Sequence, residues 1–364
     1  MNDFRAEPAD LRNAMLEAAK RVVDSGWYIL GKEVSEFEQR WAESCGVPFG
    51  IGVGNGMDAI EIALRSLSVG PGDEVITTPM TAFATVLAII RAGATPVLAD
   101  INPSTALLSM DSVARCVTSA TRAVLLVHLY GQIRGIESWL DFCAHRRIHL
   151  VEDCAQSHLA SIKGRAAGSW GIAGAYSFYP TKNLGALGDA GMIVTRDQQL
   201  ASRAAQLRNY GQSDRYHHPV LGLNSRLDEL HAALLVERLK WLEDFTARRR
   251  QIAEFYQSEI RHQEVLCLDS PEEQQSHVYH LFVVTCDRRD ALQQHLKEHN
   301  IQTLIHYPVP VHLQDPCRHL ARDPQGLAAS EQHAATCLSL PCHPQMSDDD
   351  AAVVIAAVNG FRAS

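Results

Sequence analysis

Short apolar runs that alternate with helical segments occupy the first two hundred residues of this chain, and they leave few architectures open. Residues 75–79, 95–99, 123–129 and 148–152 read as strands, and 85–92, 109–117 and 137–146 between them read as helices. Further strands are predicted at 174–179 and 191–195, with a helix over 198–208. The strands are continuously apolar rather than alternating, which is the pattern of a mainly parallel sheet covered by helices on both faces. Residues 8–24 place Leu11, Met15, Ala19 and Val22 on one helical face, and a second helix from about residue 33 does the same with Val34, Phe37 and Trp41. Residues 209–225, rich in Asn, Gly, Tyr and His, read as a long functional loop. A helix over 226–241 then runs on, with a bend, into a charged helix over 247–261.

Beyond about residue 245 glycine becomes rare until Gly326. A strand (278–285), a helix (289–299), a strand (303–307) and final helices follow, one opening at Ser347 with Asp348, Asp349 and Asp350 in its first turn. The expectation is an α/β protein in two parts: a large domain over residues 1–244 with a mixed, mainly parallel sheet, and a smaller C-terminal α/β domain over 245–364. The N-terminal helix is a candidate to pack on the small domain.

Two strand ends carry the chemistry. The first strand, 174–179, is stopped by Pro180 and presents Lys182 ahead of Gly185, Gly188 and Gly191. A lone lysine is ordinarily a solvated surface charge. Upstream, however, the strand 148–152 runs into Asp153, followed by Gln156 and His158. A strand-end Lys and a strand-end Asp are what a pyridoxal phosphate site requires: the amine holds the aldehyde as a Schiff base, and the carboxylate keeps the ring nitrogen protonated. A third element, Gly52-Val-Gly54-Asn55-Gly56-Met57-Asp58, opens a helix striped by Ile60, Ala63, Leu64 and Leu67. It is either a phosphate cradle or a tight strand-to-helix turn. It lacks the lysine of a nucleoside-triphosphate loop and the spacing of the dinucleotide fingerprint.

Composition excludes several classes. The net charge of −9, from 33 basic and 42 acidic residues without long runs, argues against nucleic-acid binding. Nine cysteines without a Cys-x-x-Cys pair read as reduced thiols. The N-terminal Met1-Asn-Asp-Phe-Arg segment has no apolar signal core, and no stretch of about 18 apolar residues occurs, so a soluble cytoplasmic protein is expected. The pair His217-His218 has no third ligand at metal spacing, and no metal is expected.

Several motifs resemble the sugar aminotransferases of the DegT/DnrJ/EryC1/StrS group: Gly54-Asn-Gly-Met-Asp-Ala59, Thr81-Ala-Phe83-Ala-Thr85, His128-Leu-Tyr-Gly131, Glu152-Asp-Cys-Ala-Gln-Ser-His158, Ser177-Phe-Tyr-Pro-Thr-Lys-Asn183 and Leu223-Asn-Ser-Arg-Leu-Asp-Glu229. They run in the group's order from about residue 20 to the C-terminus. The resemblance implies the fold type I (aspartate aminotransferase-like) architecture, pyridoxal 5′-phosphate as cofactor, and a homodimer with its active site at the subunit interface. It makes Lys182 the cofactor-binding lysine and proton shuttle, with Asp153 beside the pyridinium nitrogen. Gln156 is then placed at the ring hydroxyl and Phe83 on the ring face. Gly56, the Met57 amide and the Ser177 hydroxyl would hold the phosphate, with Asn224 from the other subunit. Ser177 is equally readable as a hydrogen-bonded strand serine, Phe83 as core, and His158 as a core histidine rather than a cofactor neighbour. Met57 stands where the group often has Thr or Ser, which shifts the load to backbone amides, and Leu159 replaces a usual Gly. A branch of the group resembling 3-dehydratases has His in place of this lysine, so Lys182 favours amination.

The stretches 222–229 and 303–310 resemble the subgroup that aminates C3 of nucleotide-linked 3-keto sugars, typically dTDP-3-keto-6-deoxyhexoses with L-glutamate as donor. That is deoxyamino-sugar biosynthesis, with O-antigen among its destinations. Tyr179, His306 and Tyr307 would line the sugar pocket, with Tyr216 or His217 reaching in from the partner subunit; each is also readable as an ordinary surface residue. Amination at C4, or of a keto-cyclitol, stays open. So do two readings from other classes, a nicotinamide-dependent sugar oxidoreductase and a non-catalytic sensor.

Overall fold

The computed structural model describes residues 3–362; the first two residues of the N-terminal segment read above lie outside it, as do the last two residues of the chain. Strands β1 (Phe49–Val53), β2 (Glu74–Thr77), β3 (Thr95–Leu98), β4 (Thr121–Val127) and β5 (His149–Asp153) precede a short hairpin, β6 (Ser161–Ile162) and β7 (Arg165–Ala166). Strands β8 (Ala173–Ser177) and β9 (Gly191–Thr195) follow, then β10 (Leu266–Cys267), β11 (Phe282–Thr285), β12 (Ala321–Arg322) and β13 (Cys337–Leu340). The large sheet has the order β1-β9-β8-β5-β4-β2-β3-β12. Only β9 runs against its neighbours; every other pairing from β8 to β12 is parallel.

Burial on both faces explains the unbroken apolar strands. Along β4, Val124 and Leu126 enter one core with Trp139 and Phe142, while Ala123 and Leu125 enter the opposite core with Ile62 and Ile89. These partners lie on α6 (Ile136–Arg146), α3 (Gly56–Ser66) and α4 (Phe83–Arg91), numbered after α1 (Ala9–Ser25), α2 (Lys32–Cys45) and the intervening α5 (Met110–Cys116). After β9 come α7 (Gln198–Leu207), α8 (Glu229–Leu239) and α9 (Leu242–Glu259), then α10 (Arg289–Glu298), α11 (Ala328–Thr336) and α12 (Asp348–Asn359). A separate core of Tyr256, Phe282, Leu292, Leu338 and Val358 joins α9, α10 and α12 to the three-stranded sheet β10-β11-β13.

Helix α1 lies along α8, burying Leu11, Met15, Ala18 and Val22 against Ala233 and Leu234. A buried ion pair between Glu7 and Arg238 pins its start there. The N-terminus of α2 is closed by the Glu229 carboxylate, which accepts the amides of Gly31, Glu33 and Val34 at 2.7–3.0 Å. Helix α12 begins with a reciprocal cap between Ser347 and Asp350.

Some predicted elements change. The strand predicted over 278–285 begins only at Phe282, because the amides of Val278 and Leu281 are spent on the carbonyls of Gly131 and Tyr130. Residues 303–307 make a single bridge, Leu304 with Ser339, and the His306 carbonyl is taken by the Tyr130 hydroxyl instead of a ladder. The bend predicted between the 226–241 and 247–261 helices is a break at Lys240 and Trp241, and the second helix, α9, starts earlier than predicted, at Leu242. Strand β12 joins the edge of the large sheet beside β3, so part of the C-terminal sequence builds the large layer.

Candidate active site

The parallel strands β5 and β8 are neighbours, with Asp153 paired to Ala175, so Asp153 and the residues just past Ser177 emerge at the same sheet edge. Lys182 is reached by a turn in which its amide bonds the Tyr179 carbonyl at 2.8 Å and the Ala186 amide bonds that of Phe178 at 2.7 Å. Gly185 packs so closely on this turn that a Cβ would lie 2.4 Å from the Pro180 carbonyl oxygen. Asn183 anchors the loop: its Nδ2 donates to the Val278 carbonyl at 3.0 Å, and its Oδ1 meets His280 Nδ1 at 3.2 Å.

The two charged groups feel each other. Burial pulls the half-buried Lys182 amine down to about 8, with Asp153 opposing that shift. Burial pushes the Asp153 carboxyl up, against the Ala155 amide, the Thr85 hydroxyl and the Lys182 charge. Oδ2 of Asp153 accepts from Thr85 Oγ1 at 2.8 Å, Thr85 is itself 2.8 Å from Thr81 Oγ1, and Oδ1 accepts the Ala155 amide at 3.1 Å. Both threonines lie in the quoted motif around Phe83, yet only the structure reveals this hydroxyl chain. An i, i+4 threonine pair at a helix start was the available signal.

A cradle for an anion forms beside them. Ser177, at the end of β8, faces Gly191 of β9, which in turn faces Val53 at the end of β1. Helix α3 starts there. Asn55 caps it by accepting the Asp58 amide at 2.8 Å, and the Asn55 carbonyl takes Ala59. The amides of Gly56 and Met57 are thus the ones left for an anion. Gly56 approaches Ser177 so closely that a Cβ would sit 2.5 Å from the Ser177 Cβ. The Ser177 oxygen accepts from the Tyr179 amide at 3.3 Å, so its proton is free to be donated. The glycine loop is thus a tight strand-to-helix turn, and its two uncapped amides are free to serve the cradle that the sequence offered as the other reading.

Gln156 is buried, and its Oε1 accepts the Tyr130 amide at 2.6 Å. That fixes the side-chain amide so that Nε2 points outward as a donor, 3.3 Å from the Tyr307 hydroxyl. Burial raises Tyr307 to about 12 and lowers His306 to about 4, the latter helped by the Lys182 charge; His306 Nδ1 is 2.8 Å from Ser339 Oγ. His158 is enclosed by Trp41, Tyr176 and Phe178 at ring distances of 5.4–5.6 Å, and burial takes it down to about 3. The Lys182 charge adds to that shift, so the ring is at once buried among aromatics and within electrostatic reach of the lysine. Phe83 is exposed at the first turn of α4, two residues from Thr85.

The remaining candidates are exposed. Tyr179 follows Phe178 on the outer side of the lysine loop. Tyr216 and His217 sit in a tight turn closed by Asp214 and Ser213, and Asn224 bridges Asn209 through its backbone. Their contacts within the chain are to neighbours in or beside their own loop.

This set of a buried Asp, a half-buried amine of lowered pKa and a helix-end anion cradle coincides with a match, over residues 9–359, to the model of the DegT/DnrJ/EryC1/StrS aminotransferase family. The chain belongs to that family. It is 44% identical over 359 residues to a dTDP-3-amino-3,6-dideoxy-alpha-D-galactopyranose transaminase of Aneurinibacillus thermoaerophilus, covering 99% of this chain and 98% of the relative. It is 42% identical to the erythromycin biosynthesis sensory transduction protein EryC1 of Saccharopolyspora erythraea, covering 98% and 97%. The crystal structure of S. venezuelae DesV, in complex with a ketimine intermediate, superposes with a TM-score of 0.94 at 41% identity, covering 98% of this chain and 96% of DesV.

As a DegT/DnrJ/EryC1/StrS aminotransferase the protein uses pyridoxal phosphate, and its residues fit that group. The Gly56–Ser177 approach leaves no room for a Cβ and sets the Gly56 backbone against the Ser177 side chain, Asp153 is a buried carboxylate, and Lys182 is an amine of moderate basicity. When bound, the cofactor supplies an electrophilic carbon and a ring that accepts electrons. The chain's own residues do the rest. Lys182, at about 8, has a neutral fraction near neutral pH and can take a proton and return it. Asp153, held by Thr85 and Ala155, can keep a ring-nitrogen proton in place. Gln156 Nε2 can donate to a ring oxygen, and the Gly56 and Met57 amides with the Ser177 hydroxyl can hold the phosphate. Among the described residues, His128, Glu152 and Cys154 have metal-compatible spacing. The Glu152 oxygens are already saturated by three amides and His128, so this cluster is a clamp. No described helix is long and apolar enough to cross a membrane.

Proposed function

We propose that this aminotransferase aminates C3 of a dTDP-linked 3-keto-6-deoxyhexose with L-glutamate as donor, in the cytoplasm, as a homodimer in which each active site is completed by the partner chain. The lysine and carboxylate at adjacent parallel strand ends carry the aminotransfer chemistry. The choice of C3 is supported by the near-full-length 44% identity to a transaminase named for a dTDP-3-amino sugar. Lys182, Asp153, Gly56, Met57, Phe83, Gln156 and Ser177 would bind and work the cofactor; Tyr179, His306 and Tyr307 would face the sugar.

Two features support the dimer. Trp27, Tyr28, Ile29, Leu187 and Leu230 are exposed apolar side chains. They are brought together by the Ile29–Asp228 bridge and the close packing of Gly188 on His231. Asn224, Tyr216 and His217 point out of their own chain, which suits contribution to a second copy's site.

The test is the visible spectrum of the purified protein before and after L-glutamate, followed by paired 3-keto and 4-keto dTDP sugars. A cofactor band that fades with glutamate and recovers only with the 3-keto sugar supports the whole reading. Recovery with the 4-keto sugar or a keto-cyclitol moves the site of amination. A protein that stays colourless after added cofactor overturns it. The sensory name of the Saccharopolyspora relative favours one other reading, a sensor without turnover, which a bleached spectrum with no amination of any sugar would select.

A further inference from the structure

A cleft of about 660 Å³ opens between the end of α2, the β6–β7 hairpin and α9, and it shares no lining residue with the Lys182 site. Three arginines line it: Arg165 on β7, Arg196 just after β9, and Arg250 on α9. Their donors go to neutral carbonyls: Arg165 to Ser169 at 2.6 Å, Arg196 to Gly46 at 2.7 Å, and Arg250 to His277 and Gln275 at 3.0 and 3.2 Å. Arg165 also stacks on Trp170, and its Nε is buried with no hydrogen-bond partner. Burial and the neighbouring Arg196 charge both disfavour the Arg165 cation. The cleft therefore gathers three guanidinium groups whose hydrogen bonds go to carbonyls rather than to carboxylates.

A second observation points inward to a ligand. Thr246, also in the lining, is fully buried, and its hydroxyl has no hydrogen-bond partner. An unpartnered hydroxyl and three arginines on one cleft lining are donors of the kind an oxyanion takes, and they come from separate elements. Glu43 and Glu243 also line the cleft but are exposed, and Glu43 is engaged by Gln39 at 2.8 Å, so the acids stand at its solvent side.

We propose that this cleft binds a phosphate-class anion, held by Arg165 and Arg196 from the sheet layer and by Arg250 and Thr246 from α9. The anion cross-links α9 to the large sheet and stabilises the fold by an amount that grows with the logarithm of its concentration once the site is filled. Its source is either free phosphate or the phosphate group of a nucleotide.

The test is calorimetric titration of inorganic phosphate, pyrophosphate and a nucleoside diphosphate into the cofactor-loaded protein, whose own phosphate cradle is already filled. Saturable binding that weakens about tenfold in Arg196→Gln and in Thr246→Val, one charge-assisted or buried hydrogen bond's worth, supports the site. Both substitutions spare the core: Arg196 is exposed, and Val has the shape of Thr. Amination by these variants in anion-free buffer should match the unsubstituted protein. A nucleoside diphosphate whose affinity falls with the same substitutions identifies a nucleotide source; sensitivity confined to inorganic phosphate and pyrophosphate identifies the free ion. No saturable binding, or affinities unchanged in both variants, overturns the proposal.

Discussion

The two faces of β5 carry adjacent carboxylates with opposite fates. Glu152 points to one side, where both oxygens are saturated: the amides of Gly168, Trp170 and Gly171 donate at 2.7–2.9 Å and His128 lies at 2.8 Å. Asp153 points to the other, where one amide and one hydroxyl steady it and its remaining acceptor capacity faces Lys182. Both residues are buried and acidic, one position apart in sequence. Hydrogen-bond saturation separates them: a satisfied buried carboxylate is a clamp for loops, whereas an incompletely satisfied one beside a displaced amine is available for chemistry.

Substitutions on the two faces should therefore separate rate from stability. The largest effect is expected from Lys182→Ala, which should cost at least about four powers of ten in amination while leaving the fold intact; retained turnover would break the front-face assignment. The same substitution has a stability signature. Burial lowers the folded-state amine to about 8 from the ordinary 10.5, so the unfolded chain binds more protons in that interval. The cofactor-free protein should gain stability as pH rises from about 8 towards 10.5, and Lys182→Ala should flatten that slope in denaturant titrations at several pH values. Next, Asp153→Asn should lower kcat by about two to three powers of ten with cofactor still bound. Glu152→Gln should do the reverse. It turns one saturated oxygen into a donor facing donors, costing about 2–3 kcal/mol of stability in denaturant titration, with kcat per folded molecule changed by less than about threefold. Equal loss of rate from both acids would erase the distinction between the faces.

The sequence separated these neighbours only in part. Strand runs were legible wherever both faces are buried, as in β4 and β5, because burial imposes an apolar character that needs no partner to be seen. Asp153 and Lys182 stood out because chemistry demands their pairing at strand ends. Glu152 did not, because the amides that saturate it come from residues 168–171 across a hairpin, and backbone donors leave no trace in side-chain identity. The same cause hides β12 and the 303–307 segment, whose courses depend on which remote carbonyl takes each amide. Thr85, His280 and Asn183 were missed because each acts through a residue distant in sequence. Asn224, Tyr216 and His217 rest on motif resemblance alone, and one chain leaves them facing solvent.

The smallest expected effect gives the finest test of the front face. Thr85 touches no reacting atom in this geometry; it is a positioning residue that acts through Asp153. Its hydrogen bond favours the charged carboxylate, opposing the burial that pushes the group up. Thr85→Val removes the donor and keeps the shape, so the Asp153 carboxyl should move further up, and the acid limb of the kcat profile should shift to higher pH. At neutral pH the loss should be about tenfold or less. Thr85→Ser should restore the profile, since it returns the hydroxyl. A merely structural threonine would lower kcat or melting temperature without moving the acid limb, and that outcome would confine the rigid front face to Asp153 and Lys182 alone.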